Sequence, residues 1–560
     1  MQIVGTVMGV SHRLCAMIAI AAVAIAATAA TAAADDYCVG STPLCNASVI
    51  PATGDGFAAA LTSSNSHAGA DRIFLAPGTY DLETGIAETV PSGQSLQIIG
   101  AGSASTSFTC QPAAVNACFS LSAPSSASSL SGVTAKPSGT ASNVYGLVLT
   151  RADGSDLAVV DPGGMSAFRA IAAYYGTAID GCHLTLASSN AVGLFTNNAD
   201  FSATHCSVQG GSTSTGVSAG GNNTTVSIDH SSFRDVQTGL AMTVGTLNVS
   251  DTLIDMGSAG SRTGIDAYYP NAATGATTLN ADRVTIVGSG TTQYGTWLGA
   301  VGTGQSFAAD IEDSVIYNPA PGFVAIHSQF SPPSGASDTI ATKHTAYNLA
   351  GVVKAGTAQV TPTNENPIDL ASTPPGFVDP ATRNYHLAVG STLIDAGGST
   401  TAAGATDLDG AARVVDGNGD GNASVDIGAY EFQPPAPGGG ADAAEATARI
   451  VAKPKKSFRV GRKAGFGKAR KGAASFSVKF ANSAKAKFTL KSIGRHNKLK
   501  TVKGSQTLNV SDGTIKIGMR GRWNKKQLRA GKYRVTITPI SGSGVAGDPV
   551  SVRIALADRQ

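Results

Sequence analysis

His183-Leu184-Thr185-Leu186, His205-Cys206-Ser207-Val208 and His230-Ser231-Ser232-Phe233 are three copies of one short pattern, a polar residue followed by an alternation that ends on an apolar side chain. The pattern continues as Asp251-Thr252-Leu253-Ile254, Arg283-Val284-Thr285-Ile286, Asp313-Ser314-Val315-Ile316 and His344-Thr345-Ala346-Tyr347. The end residues Leu186, Val208, Phe233, Ile254, Ile286, Ile316 and Tyr347 lie 22, 25, 21, 32, 30 and 31 positions apart. A period in the low twenties with larger insertions is what stacked coils require, because extra residues bulge out as loops without disturbing the stack. Alternate residues of a strand face opposite ways, so Leu184 with Leu186, Val284 with Ile286 and Ser314 with Ile316 should point inward. A second column, Gly193-Leu194, Gly216-Val217, Gly239-Leu240 and Gly264-Ile265, recurs at 23, 23 and 25 residues and fits a tight corner before an inward strand. The expected fold is all-β, a right-handed single-stranded parallel β-helix over residues 35–376. An ordinary β-sandwich would explain the strands but not the recurring coil.

Composition agrees with a narrow stack. The 560 residues include 67 glycines, with only 6% aromatic and 14% charged side chains, too little bulk for a thick globular core. At the N-terminus His12 and Arg13 precede an apolar run from Cys15 to Ala30, and Ala32-Ala33-Ala34 comes before Asp35-Asp36. A basic end, an apolar stretch and small residues at a cleavage point predict a signal peptide over 1–34. A retained membrane anchor is the competing reading, and the weakly hydrophobic, Ala-rich core argues against it. No transmembrane segment is expected after the signal is removed. Six cysteines remain beyond Cys15, in the local pairs Cys38 and Cys45, Cys110 and Cys118, and Cys182 and Cys206. An even number in an exported chain reads as disulfides, although spacing alone leaves the connectivity open. No cysteine or histidine cluster has structural zinc spacing.

The net charge of +3 hides two opposed parts. From Val451 to Gln560 there are 27 Lys+Arg against 3 Asp+Glu, a net of +24; the remainder has 13 against 34, a net of −21, and the two sum to +3. The switch follows a Pro/Gly/Ala-rich linker, 434–447, that contains Pro434-Pro435-Ala436-Pro437-Gly438-Gly439-Gly440. Beyond it, runs at Phe476–Phe480, Ala486–Leu490, Thr514–Ile517, Tyr533–Ile537 and Val550–Ile554 predict a basic immunoglobulin-like β-sandwich over 448–560. Its expected core is Phe480, Phe488, Leu490, Tyr533 and Val535, with lysines on the outer faces. Such a domain should be drawn to polyanions through many weak, salt-sensitive contacts. It carries no recognition helix or zinc-finger spacing, so specific nucleic-acid readout is not expected. The plainer alternative is that the basic face offsets the acidic body of the same chain.

Two stretches carry a resemblance. Asp71-Arg72-Ile73-Phe74-Leu75-Ala76-Pro77-Gly78-Thr79-Tyr80, followed by Leu96-Gln97-Ile98-Ile99-Gly100-Ala101-Gly102, resembles the opening coils of pectin-lyase-like parallel β-helix proteins. The segment 377–433 resembles a C-terminal module of secreted bacterial proteins, the choice-of-anchor Q domain. It does so through Asn384-Tyr385-His386-Leu387, Ser391-Thr392-Leu393-Ile394-Asp395-Ala396-Gly397, Thr406-Asp407-Leu408-Asp409-Gly410 and Asp426-Ile427-Gly428-Ala429-Tyr430-Glu431. The resemblance implies a secreted or cell-surface β-helix. It does not imply one activity, since such helices include lyases, hydrolases, binding proteins and adhesins.

The residues that open each rung, His183, His205, His230, Asp251, Arg283, Asp313 and His344, are expected to stand outward as a ladder about 4.8 Å apart. Such a face could hold an extended glycan or a transition metal; the plainer alternative is a solvated strand face. Catalytic alternatives rest on fewer residues. Ser227-Ile228-Asp229-His230 resembles the Ile-Asp-His element of pectate lyases, which implies a calcium ligand at Asp229. The tryptophan before that element and the Arg-x-Pro-x-x-Arg segment after it are both missing, which puts lysis by that route in doubt. Lys343 is a lone candidate base. Asp266, beside Tyr268 and Tyr269, is a candidate acid for glycoside hydrolysis, although that chemistry needs a second carboxyl. Asp416-Gly417-Asn418-Gly419-Asp420-Gly421 opens like a calcium loop, but position 12 is Ile427 rather than Glu. A looser structural calcium turn would use Asp416, Asn418, Asp420 and Asp426; no other cofactor is indicated. The expected partner is a polysaccharide or cell-envelope polyanion, with a lyase or hydrolase acting on an acidic glycan as the alternative. Nothing in the sequence sets an oligomeric state.

Overall fold

The computed structural model describes residues 34–434, apart from 115, 126, 223, 270–274, 301–304, 331–337, 357–360 and 399–403, and the strands of a second unit between 447 and 557. The expected signal peptide (save residue 34) and most of the linker fall outside the described residues. The chain divides into two compact units after Phe432. The first is a right-handed parallel β-helix. One long parallel sheet system runs from Asp36–Val39 to Ile368–Asp369, and a second sheet stacks eleven described strands from Ile86–Thr89 to Val352–Gly356. The helix Gly54–Asn65 is N-capped by the Thr53 hydroxyl and inserts Phe57, Ala60 and Leu61 into the first coils, where Phe57 stacks on Phe108 at 5.4 Å. No helix among the described residues is long and apolar enough to cross a membrane.

The rung register shows why the pattern repeats. Leu184, Val208, Phe233, Ile254, Ile286, Ile316 and Tyr347 pair coil to coil and are all buried. The second column needs glycine for close approach rather than for a turn. A Cβ on Gly216 would lie 2.4 Å from the Gly239 carbonyl oxygen, and one on Gly239 would lie 2.4 Å from that of Gly264.

The residue that opens each rung is not a regular strand position. Gly132, Asp156, Gly181, His205, His230, Asp251, Arg283, Asp313, His344 and Asn366 are in register and share left-handed backbone, with φ from 43° to 77°. This bend divides a coil strand in two, as in Thr225–Asp229 and Ser232–Arg234. Glycine reaches that conformation freely, and Asn, Asp and His are the side chains most enriched there. Backbone preference therefore accounts for most of the histidines and aspartates in the column. The next residue points inward and its hydroxyl mends the ladder: Ser231 Oγ donates to the Asp229 carbonyl (2.7 Å) and accepts from Cys206 N (3.1 Å). Thr252, Ser314 and Thr345 repeat the donation to Ser250, Glu312 and Lys343 at 2.6–2.8 Å.

One expected register is corrected here. His183 pairs with Ser207, and Gly181 holds the left-handed place opposite His205, so the inward end of that rung is Leu184, not Leu186. All three expected cysteine pairs are disulfides, and Cys182–Cys206 links successive coils inside the stack.

The described residues of 376–432 fold back over the left-handed face as a cover. Its hairpin of Phe377–Asp379 and Asn384–Leu387 leads into irregular chain. Leu253, Val287, Val315 and Ala346 on the coils pack against Tyr385, Leu387, Leu393, Ile394, Ile427, Ala429 and Tyr430 of the cover. Gly428 N donates to the Asp313 carbonyl at 2.7 Å, and Ala429 N donates to Thr285 Oγ1 at 2.8 Å.

The second unit is a small immunoglobulin-like β-sandwich. Thr447–Ala452, Ser475–Ala481, Gly513–Met519 and Phe466–Lys468 form one sheet. Phe458–Arg459, Val550–Ala557, Gly531–Ile540, Lys485–Ile493 and Leu499–Asn509 form the other. Phe480, Phe488, Leu490, Tyr533 and Val535 are buried between them, as expected, together with Trp523, whose indole N–H donates to the Gly504 carbonyl.

Candidate functional site

The expected outward ladder is open at one end and covered at the other. His183 and His205 are exposed; His183 Nδ1 meets Ser207 Oγ at 2.7 Å, and His205 Nδ1 meets Asp180 Oδ1 at 2.8 Å. The His205 bond, with a second from Thr204, holds Asp180 below the ordinary carboxylate range. From His230 onward the face is closed. His230 lies between Asp229 (2.8 Å) and the cover residue Thr406, whose carbonyl oxygen is 3.1 Å from Nε2. Its bond to Asp229 raises His230, although burial opposes this. Burial works to raise Asp229, but the bonds from His230 and Ser250 outweigh it and hold that carboxyl low. Asp251 is buried between Arg283 (3.0 Å) and Arg413 of the cover (2.9 Å), and Arg283 also pairs with Asp282. Asp313 has no exposed surface and accepts from Gly398 N at 2.8 Å; His344 Nε2 lies 2.9 Å from Asn366 Nδ2. Five of the seven expected face residues therefore form a seam inside the protein.

Two groups on this seam bring metal-ligating atoms within 4.8 Å of one another: Asp229, His230 and Asp251, and Glu312, Asp313 and His344. In the first, the arginine pairs of Asp251 and the mutual bond of Asp229 and His230 already occupy the donors. Lys343 is not a free base, because its Nζ pairs with Asp310 Oδ2 at 2.8 Å and that bond raises its pKa. In the expected calcium turn, Asp416 accepts from the amides of Gly419, Asp420 and Gly421, Asn418 from Asp420 N, and Asp420 from Asn422 N. Asp426 stands apart from that turn. It is fully buried, its oxygens accept from Asp395 N (2.7 Å) and Phe432 N (2.5 Å), and burial pushes it up to about 6.

Asp266 lies on the other sheet and is not brought together with Asp229 or Lys343. The register Asp266, Trp297, His327 sets a carboxyl, an indole and an imidazole in one outward column on three successive coils. Tyr268 and Tyr294 flank it, with ring centroids 5.8 and 4.7 Å from Trp297, and His327 lies 4.4 Å from the indole. Asp266 Oδ1, Trp297 Nε1 and His327 Nδ1 are each buried without a hydrogen-bond partner. Burial pushes Asp266 up to about 6 against one backbone hydrogen bond at Tyr268, and burial lowers His327. No second carboxyl among the described residues contributes to the Asp266 shift. Trp297 and His327 were missed in the sequence because they lie 31 and 61 residues from Asp266; projecting the coil register would have found them.

In the sandwich, Lys491, Arg534 and Arg553 stand directly opposite one another on three adjacent strands, so their side chains share one face. Like charges in that arrangement destabilise a sheet unless an anion lies between them.

No family model matches this chain, and no curated protein matches it. Among solved structures it is similar to the catalytic unit of a GH87 alpha-1,3-glucanase from Streptomyces thermodiastaticus, at 14% identity over 56% of this chain and 66% of that one, with a TM-score of 0.31. It is also similar to a PL6 family alginate lyase (12% identity, 57% and 52% covered, TM-score 0.31) and to the tailspike protein 4 of bacteriophage CBA120 (10%, 88% and 65%, 0.32). The chain spans between half and two thirds of the length of those structures. These likenesses are faint, and the coil architecture stands on the strand register above.

Proposed function

We propose that this chain works outside the cell as a glycan-binding β-helix, with the strip Asp266, Trp297 and His327 as its binding face and the basic sandwich as an attachment to polyanions. The observation that carries the reading is the strip itself: three coils set a carboxyl, an indole and an imidazole side by side next to two tyrosine rings. A mostly apolar face with a few convergent polar groups is what sugar rings and other small ligands select. Binding is favoured over cleavage because hydrolysis needs two carboxyls flanking the bond, and the column Asp266, Trp297, His327 supplies one. Lysis by the expected route needs Asp229 and Lys343, which are tied to His230 and Asp310. The three disulfides and the resemblance of 377–433 to a choice-of-anchor Q module support the extracellular placement. The row Lys491, Arg534, Arg553 supports the polyanion role. A calcium ion at Asp416, Asn418 and Asp420 would be structural.

The test is retention on a panel of neutral and acidic polysaccharides, with reducing ends and unsaturated products measured on the same samples. Retention that Trp297→Ala abolishes, without cleavage, supports the reading. Retention indifferent to Trp297→Ala rejects the strip, and turnover lost in Asp266→Asn replaces binding with hydrolysis. Deleting residues 445–560 should remove the salt-sensitive part of retention alone.

A further inference from the structure

The sheet that carries the strip holds a second aromatic cluster on its outer face, nearer the N-terminus and built around arginine. The Arg169 guanidinium lies 4.4 Å from the Phe195 ring centroid and 5.4 Å from that of Tyr145, and Arg151 lies 4.8 Å from that of Tyr175. Tyr174 joins the two groups: its ring is 6.4 Å from Tyr175, and its phenol, raised first by burial, is lowered in part by the Arg169 charge. All six side chains reach the surface. Arg151 and Tyr175 are exposed, and Tyr145, Arg169, Tyr174 and Phe195 are half-buried. Both arginines are exceptions in this unit. Arg72, Arg234, Arg283, Arg383 and Arg413 each pair with an aspartate, and Arg262 donates to two carbonyl oxygens. Among the described residues Arg151 and Arg169 form no ion pair, and Arg169 donates only to Asn143 Oδ1 and the Ala167 carbonyl, at 3.3 and 3.4 Å. Ahead of Val451, 34 Asp+Glu face 13 Lys+Arg, so two arginines set on rings rather than on carboxylates mark a distinct place.

Stacking uses the flat face of a guanidinium and leaves in-plane N–H groups for an oxyanion, while the rings beside it offer a surface for the C–H face of a sugar. The register ties this cluster to the strip. Phe195, Ser218, Ala241, Asp266 and Trp297 form one outward column, and Arg169 leads through Thr215, Thr238 and Thr263 to Tyr294 in the next. The small side chains between the two aromatic ends make a low floor. Four coil steps separate Phe195 from Trp297, about 19 Å at the usual strand spacing, a length for an extended chain rather than one ring. We infer that the Arg151–Arg169 cluster binds a sugar ring bearing a carboxylate or a sulfate, so that the polysaccharide on this face is acidic; the inference rests on the glycan reading of the strip. The acidity of the unit as a whole does not oppose this, because exposed charges more than about 10 Å away are largely screened at 0.1 M salt.

Hydroxyl-radical footprinting of the full mature chain tests this, with oligogalacturonate, a sulfated galactan oligosaccharide and a neutral galactan oligosaccharide as probes. At least one acidic probe should protect Tyr175, which is 56% exposed, and the neutral probe should not. Arg151→Gln combined with Arg169→Gln should weaken that protection about tenfold or more in probe concentration, the loss of one charge-assisted hydrogen bond. Neither substitution breaks an ion pair, and polyanion binding by the sandwich is the same in both proteins. Absence of acidic protection at Tyr175, protection undiminished in the double variant, or equal protection by the neutral probe overturns the inference. The strip is judged in a different variant: polysaccharide retention indifferent to Trp297→Ala rejects the strip, and the assignment of an acidic polysaccharide falls with it.

Discussion

The two halves of the left-handed face use one backbone device for opposite ends. In both, a bend at φ near +50° is followed by an inward side chain and then an outward one. In the N-terminal half that outward column reads His183, Ser207, Ser232 and stays at least partly open to water. In the C-terminal half it reads Leu253, Thr285, Val315, Ala346, and the cover closes over it. The bend itself is therefore neutral about function. What lies on either side of it decides whether an aspartate or histidine there meets solvent, as His205 does, or an arginine from the cover, as Asp251 does.

The largest effect should come from separating the halves. Arg413→Ala removes a fully buried guanidinium and leaves the buried Asp251 with Arg283 as its one remaining arginine. Breaking a buried pair in this way costs about 3–5 kcal/mol. Hydrogen exchange should show protection lost across residues 376–432, while the coils spanning 128–209 keep theirs. Uniform loss along the whole stack would mean that the cover and the coils are one cooperative unit.

A matched pair of substitutions sharpens the contrast at lower cost. Val315→Asp buries a charge under the cover and should lower stability by several kcal/mol, on the order of other uncompensated buried charges. Ser207→Asp occupies the corresponding place in the open half, next to His183, and should stay within about 0.5 kcal/mol. Equal thermal shifts for the two would show that the open half is closed by something else.

The coil stack was legible because Val208, Phe233, Ile254, Ile286, Ile316 and Tyr347 must alternate inward whatever the loops do. The misplacement of His183 has a local cause: Leu184 and Leu186 are both buried and two apart, so either can end the rung, and only Gly181 marks the bend. The cover was legible as a module but not as a cover. Its signal, the change from Ser232 to Leu253 and then Val315 in the outward column, reads in isolation as ordinary strand variation. The strip was half legible. Asp266 stands out beside its tyrosines, but Trp297 and His327 join it only through the stacking register. The sandwich core was legible residue by residue, because antiparallel strands with one dry face alternate without interruption.

The covered half should also respond to pH where the open half does not. Burial first and the neighbouring Asp426 second push Glu431 up to about 8, and burial takes Asp426 to about 6. Between the ordinary carboxyl value of 4.5 and about 8, Glu431 keeps its proton in the folded cover and loses it in the unfolded one. Folding then takes up a proton, so the stability of the cover falls as pH rises through that window. His230 has the same sign, since its raised value means that its bond to Asp229 is lost at high pH. Exchange protection over 376–432 should therefore be greater at pH 5.5 than at pH 8, and Glu431→Gln should flatten most of the difference. Protection that increases with pH would rule out the protonated Glu431.

The smallest expected effect is that of calcium on the cover. Asp416, Asn418 and Asp420 already accept amide hydrogens of their own turn, so the loop is shaped without an ion. An ion there would use only the remaining acceptor positions, and Asp426 is engaged elsewhere. Such a site belongs with weak extracellular calcium modules, with Kd of about 0.1–1 mM. By mass action, 1 mM calcium then stabilises the cover by about 0.4–1.4 kcal/mol. Chelation should lower the melting of the cover slightly and leave the open coils unmoved, and Asp416→Asn should remove that response. A loss as large as that of Arg413→Ala would instead make the ion, rather than the Arg413–Asp251 pair, the fastening that separates the two halves.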